Sequence, residues 1–330
     1  IYVDPPSGVN QISNVVSNIS NGDVVILDQG VYTQTVPIII PSGVTQFGII
    51  GRGINLTKIN FQGCDGIKQS NTVQNIRQAY LQGLTMTTDR SGTHNGITLR
   101  GQWSNIEIGS TIVIKDILLK GVSSNDYWGI GIKAHYWWNF LIDHCFINGS
   151  SFSGKGIQFL SCVNGDIVGG EYRNLQRGFE LTKSPDYSHG CEGIGFTITL
   201  VISCNYRAYI DTASLHISFN DAMFDYMKTS GIYETTNSIG QHSIKGGWIA
   251  FRDDATPGEH GIILRKDGSI VSNLQPVFAI IFAFIILKEK ISFFQLIGAI
   301  IIFTGVYLTR WGDKLFLRSK IKKLLIKILP

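Results

Sequence analysis

Two carboxylates carry spacing that could do chemistry. Glu180 follows the pair Gly178-Phe179, and Asp211 follows Tyr209-Ile210, the irregular member of a series of small-then-apolar pairs. The residue just after each apolar member runs Thr98, Lys133, Gln158, Glu180, Asp211, Tyr233 and Ile263. If these pairs lie on stacked parallel strands, equivalent outward side chains stand about 4.8 Å apart, which sets Glu180 beside Asp211. Carboxylates that close repel when both ionise, so one is expected to keep its proton. An acid and a nucleophile about 5 to 5.5 Å apart are the pair a retaining glycosidase uses. If they stand apart, the two are ordinary solvated acids.

A second candidate pair is Asp143 and His144, with Asp116 one rung earlier at the position equivalent to His144. A carboxylate beside an imidazole serves proton transfer, and serves equally as a satisfied turn. Trp128, Trp137, Trp138 and Tyr233 offer flat apolar faces with polar edges, which suit sugar rings and also fill grooves or subunit interfaces.

The elements that must position these residues are two repeating ladders. An apolar residue followed five places later by another recurs as Ile59/Cys64, Leu81/Met86, Ile114/Leu119, Ile142/Ile147, Ile167/Tyr172, Phe196/Val201, Phe219/Phe224 and Ile244/Ile249, the leading members 22 to 33 residues apart. Out of phase with it run Gly96-Ile97, Gly131-Ile132, Gly156-Ile157, Gly178-Phe179, Tyr209-Ile210, Gly231-Ile232 and Gly261-Ile262. A period in the twenties marks a solenoid whose turns bury their apolar faces by stacking. Two strand ladders per turn predict a parallel β-helix. A β-sandwich also repeats strands but needs no regular double ladder.

Composition agrees: 37 Gly, 18 Phe, 12 Tyr and only 8 Pro suit many short strands joined by glycine-bearing turns. The net charge of +4 conceals a division, since residues 1–273 hold 19 Lys+Arg against 22 Asp+Glu while 274–330 hold 9 against 2. A mildly acidic body gives no reason to expect nucleic acid as a partner. The five cysteines form no CxxC pair and fall at or near ladder positions, so they read as buried small hydrophobes with no metal site. The chain starts at Ile1 with neither methionine nor a charged-then-apolar leader, so export is not legible there.

Near that start, Asn10 reads as an N-cap, and Ile12, Val15, Val16 and Ile19 repeat at helical spacing, which predicts one amphipathic helix. The segments Gly22–Leu27, Gly30-Val31-Tyr32 and Ile38–Val44 resemble the opening of the pectate-lyase-like right-handed single-stranded parallel β-helix superfamily, in which a short helix caps the first coil. Later rungs, such as Leu215–Asn220 and Gly246–Phe251, resemble phage or prophage tail-spike and depolymerase helices. The resemblance spans 1–273 and implies an all-β domain that binds or degrades a polysaccharide, as hydrolase, lyase or inert stalk, with a homotrimer as the usual tail-spike assembly and a virion or extracellular location. Asn139–Cys145 resembles the Trp-Ile-Asp-His motif of pectate lyases, with Leu141 in place of its tryptophan. As a lyase the family would use Ca2+; otherwise no cofactor is implied.

The ladder ends near Ile270, whose partner position holds Gln275. Two apolar runs follow, Leu274–Leu287 and Ile291–Leu308, the second long enough to span a bilayer. They predict a C-terminal α-helical membrane hairpin over 274–310, then a basic amphipathic tail over 311–330. Leu274–Ala279, Lys288-Glu289-Lys290 and Gln295–Ala299 resemble the last two helices of EamA-type drug/metabolite transporters. So short a fragment holds no substrate path, and the abrupt junction reads as a gene fusion. Membrane insertion through 274–310 would put the protein at a membrane.

Overall fold

The computed structural model describes residues 1–4, 6–70, 76–101, 111–211, 213–227, 229–235, 242–251 and 260–263. The expected membrane hairpin over 274–310 and the basic tail over 311–330 lie outside them. By contacts the chain divides into two compact units, Ile1–Lys266 and Asp267–Pro330.

The first unit is a parallel β-solenoid. Among the described residues every strand pairing is parallel and joins a strand to its equivalent on the next turn. Described strands form a 17-stranded sheet and a 9-stranded sheet. The larger one gathers two stacks, because strands Gln78–Thr88 and Thr111–Gly121 run unbroken through a bend that later turns interrupt. That bend starts with a left-handed residue in each turn, Gly83, Asp116, His144, Gly169, Ile198, Asp221 and Gly246, with φ from 48° to 68°, and Gly170 and Gly247 add a second one in their turns. Asp and His tolerate this backbone better than most residues, so turn geometry alone accounts for Asp116 and His144 at these places.

The inward rows match the first ladder with one exception. Leu81, Ile114, Ile142, Ile167, Phe196, Phe219 and Ile244 stack in one row, and Met86, Leu119, Ile147, Tyr172, Val201, Phe224 and Ile249 in the other. The expected pair Ile59/Cys64 is not a member. Ile59 aligns with Tyr32 and Met86, in the second row, and the first-row residue of its turn is Ile49. The connection between them, residues 51–56, is longer than the short bend of later turns and breaks the five-residue spacing. Inside, aromatic rings continue from turn to turn: Phe179 to Phe196 at 4.4 Å and Phe196 to Phe219 at 5.0 Å. Fully burying one such ring is worth roughly 1.5–3 kcal/mol.

The smaller sheet follows the second ladder, with Ile38, Ile67, Ile97, Ile132, Ile157, Phe179, Ala208 and Ile232 in one inward row. Its glycines are fixed by close approach. A Cβ on Gly96, Gly131 or Gly156 would lie 2.6, 2.8 or 2.4 Å from the carbonyl oxygen of the residue above. The ladder member expected at Tyr209-Ile210 is Arg207-Ala208 instead, because the row follows the inward apolar position, and there the residue is alanine. Arg207 is fully buried; its Nε donates to Val201 O at 2.9 Å, while Nη2 has no partner. Burial lowers its pKa to about 10.

At the N-terminus the helix spans Gln11–Val16, with Ile12 and Val16 buried. Asn10 does not cap it through its side chain. That residue is left-handed, and its Oδ1 accepts instead from Thr35 N at 2.7 Å, tying the helix start to the first turn.

Replacing Gly156 by Val should lower stability by about 1–3 kcal/mol or more, since the carbonyl it would strike belongs to a paired strand that cannot give way. Gly8→Ala, where a Cβ meets nothing within 4 Å, should be neutral. Thermal midpoints of the two variants test the ladder, and equal midpoints would refute it.

Candidate functional site

Outward residues of the smaller sheet form three columns set by strand register. The first holds Lys155, Arg177 and Tyr206. The second holds Thr98, Lys133, Gln158, Glu180, Tyr209 and Tyr233. The third begins with Arg100 and His135 side by side.

Glu180 therefore neighbours Tyr209, not Asp211. The misplacement follows from the shifted ladder member: with Ala208 in the inward row, Asp211 lies two residues beyond the Glu180 column and accepts from the Thr235 hydroxyl at 2.5 Å. Glu180 is buried and fully engaged, by Lys155 Nζ at 2.6 Å, by Gln158 Nε2 at 3.0 Å and by Arg177. The expected acid and nucleophile are not brought together. Glu180 instead works as an anchor, holding Arg177 so that its guanidinium lies 3.7 Å over the Tyr209 ring. Tyr209 stacks on Tyr233 at 5.3 Å and 15°, and Tyr206 meets both edge-on. All three tyrosines are half-buried.

Of the expected sugar platforms, Tyr233 lies on this outward face. Trp137 and Trp128 do not. Trp137 is fully buried and donates from Nε1 to Leu99 O at 2.8 Å, and Trp128 is buried edge-on against Phe61. Trp138 is half-buried at the start of strand Trp138–Asp143.

Asp143 and His144 do meet. The Asp143 carboxylate takes Lys115 Nζ at 2.9 Å and His144 Nδ1 at 2.5 Å. Burial works to raise the Asp143 pKa, but the hydrogen bonds from Lys115 and His144 outweigh it and leave it lowered. Among the described residues Asp116 receives a long contact from Gln82, at 3.5 Å. Among the described residues no three His, Cys, Asp or Glu side chains stand close enough to share a metal. The cysteines are all buried and unpaired, and burial pushes the thiols of Cys145 and Cys191 up to about 12.

A cluster that the sequence left hidden surrounds His135. Its Nε2 lies 2.6 Å from Ser184 Oγ, which in turn donates to Asp186. Asp186 also accepts from the Tyr136 phenol and, at 3.0 Å, from Arg100, whose guanidinium lies 4.7 Å over the Tyr136 ring. Those hydroxyls, Ser184 first, hold the Asp186 carboxyl well below the usual range. Burial, then the charge of Arg100, lowers the His135 pKa to about 4. Arg100 and His135 could have been found as register neighbours three places after Ile97 and Ile132. Ser184 and Asp186 could not, since their loop returns from two turns away.

The EamA-like transporter family model matches residues 266–311, all outside the described residues. Among solved structures the chain is similar to the PL6 family alginate lyase AlyGC, at 9% identity and a TM-score of 0.33, covering 75% of this chain and 39% of that one. It is also similar to ORF18 of Geobacillus virus E2, at 13% identity and a TM-score of 0.29, covering 71% of this chain and 56% of that one. No curated protein matches. Among the described residues no helix is long and apolar enough to cross a membrane.

Neutral His135 is favoured in the fold, so its share of stability is complete above its ordinary 6.5 and is lost as pH falls towards about 4. His135→Gln should therefore lose less stability than the natural protein between pH 6.5 and 4, and parallel curves of thermal midpoint against pH would contradict this placement.

Proposed function

We propose that this chain is a polysaccharide-binding solenoid whose outward face on the smaller sheet engages an acidic glycan. The observation that carries the reading is the Tyr206, Tyr209 and Tyr233 group with Arg177 lying over Tyr209. Half-buried rings held flat beside fixed cations suit sugar faces and their carboxylates, and each stacked ring is worth about 0.5–1.5 kcal/mol beyond its area. Lys133 stands in the same column, and among the described residues no carboxylate pairs with it. Strand spacing of about 4.8 Å is close to the length of one sugar residue, so a chain laid along the solenoid axis meets equivalent positions turn after turn. We infer with this a right-handed, pectate-lyase-like helix of the kind carried by tail spikes, acting at a cell surface or virion. The stretch that matches the EamA-like family is then a relic able to tether it and too short to transport.

Binding of polygalacturonate and alginate, with dextran as the uncharged control, tests this by affinity electrophoresis. The two acidic polymers should retard the protein and dextran should not, with retardation weakening as salt rises. Tyr209→Ala and Tyr233→Ala should each weaken it about tenfold, equivalent to roughly 1.4 kcal/mol. Equal mobility in all three polymers would refute the reading.

A further inference from the structure

On the outer face of the larger sheet, register stacks Leu118, Phe146, Glu171, Leu200, Met223 and Trp248 in one column over six consecutive turns. All but Glu171 are apolar. Leu118, Phe146, Leu200 and Met223 are half-buried, and Trp248 is 55% exposed. The same short strands turn Leu119, Ile147 and Val201 into the core. A parallel strand that is apolar on both sides belongs to a sheet covered on both faces, and a contiguous apolar stripe left open marks a contact surface.

The column two residues further along carries the charges, with Lys120, Asn148, Arg173, Ile202 and Asp225 on five of those turns. Arg173 pairs with Glu171, so the middle turn is neutral as it stands. Lys120 lies two turns to one side of that pair and Asp225 two turns to the other. Among the described residues neither is in an ion pair, and Asp225 accepts from Tyr226 N at 3.0 Å. The face therefore has a cationic end, a neutral centre and an anionic end, evenly spaced.

Its relief follows the same order. At the Lys120 end the loop 51–56 rests on Thr85, whose Oγ1 accepts from Asn55 N at 3.0 Å. Between Ile54 of that loop and the pair Leu118 and Phe146 runs a groove of about 290 Å³. At the Asp225 end Trp248 stands out, three turns beyond Glu171.

We propose that this face joins two copies of the chain in a homodimer, their solenoid axes antiparallel, about a two-fold axis that runs along the strand Glu171–Arg173. Such an isologous contact needs a surface complementary to itself, and this operation supplies one. It lays Phe146 on Leu200 of the other copy and Leu118 on its Met223, and it brings Trp248 to the end of the groove beside Ile54. Each Lys120 then faces an Asp225. At the centre each Glu171 is already compensated by Arg173 of its own chain, so no unpaired charge is buried there. A parallel pairing of the same faces sets Lys120 level with Lys120 and Asp225 level with Asp225, so the charges select the antiparallel one. The stripe is about 24 Å long, which puts the contact at the small end of specific interfaces and makes the dimer reversible. The smaller sheet takes no part, and the dimer carries two copies of its outward face.

Sedimentation of the full chain in a nonionic detergent, over a series of concentrations, should show a monomer–dimer equilibrium. Phe146→Glu, on the half-exposed outer face, should weaken it at least about tenfold, since it sets a charge in an apolar contact. Lys120→Glu alone and Asp225→Lys alone should each weaken it at least about tenfold, because each places like charges together at both ends of the dimer. An equimolar mixture of those two variants should dimerise again, since opposite signs then meet at both ends, and a loss of folding would not be repaired by mixing. A monomer at every concentration, association that survives Phe146→Glu, or a mixture of the two charge variants that stays monomeric would each overturn the proposal.

Discussion

Everything on the surface of this protein depends on a contact inside one sheet, the carbonyl of one turn resting against the glycine of the turn before it. With 2.4 to 2.8 Å between that oxygen and where a Cβ would be, the turns cannot slip past one another without collision. A one-residue slip in a strand would send every outward side chain inward. The inward rows of Ile and Phe add the apolar stacking that makes the aligned state the stable one. Register is thus set by sterics and held by burial, and the outward columns are its consequence.

The electrostatics of the face follow from that alignment. Lys155, Gln158 and Arg177 converge on Glu180 because two adjacent strands present them at matched positions. A carboxylate buried among them would be costly without those partners. With them it becomes a fixed point from which Arg177 is held over Tyr209. His135 is treated in the opposite way. It is desolvated and given cations for neighbours, which favours its neutral form. One face therefore holds a satisfied anion and a desolvated base two turns apart.

Much of the fold was legible in the sequence because burial writes a period into it. Seven of the eight apolar pairs hold their expected rows, and the eighth, Ile59/Cys64, fails where a longer connection interrupts the period. The site was far less legible. Choosing Tyr209-Ile210 over Arg207-Ala208 was natural, since a buried arginine followed by alanine does not look like a core pair, yet that displacement set Asp211 falsely beside Glu180. Trp128 and Trp137 look like platforms by residue type, and only their burial tells otherwise. The link from His135 to Ser184 spans 49 residues through an irregular loop, and no periodicity encodes such a return. Asp143 and His144 are neighbours in the chain and remain so in space, where their left-handed bend explains them as well as chemistry would.

The claim on which the account turns is that the glycan lies on the smaller sheet, and a crystal structure of the protein with a uronate oligosaccharide tests it most directly. The account predicts sugar rings stacked on Tyr209 and Tyr233, running across successive turns toward His135, with carboxylates facing Arg177 and Lys133. An oligosaccharide seated instead on the larger sheet, for example in the apolar groove between Leu118, Phe146 and Ile54, would contradict it.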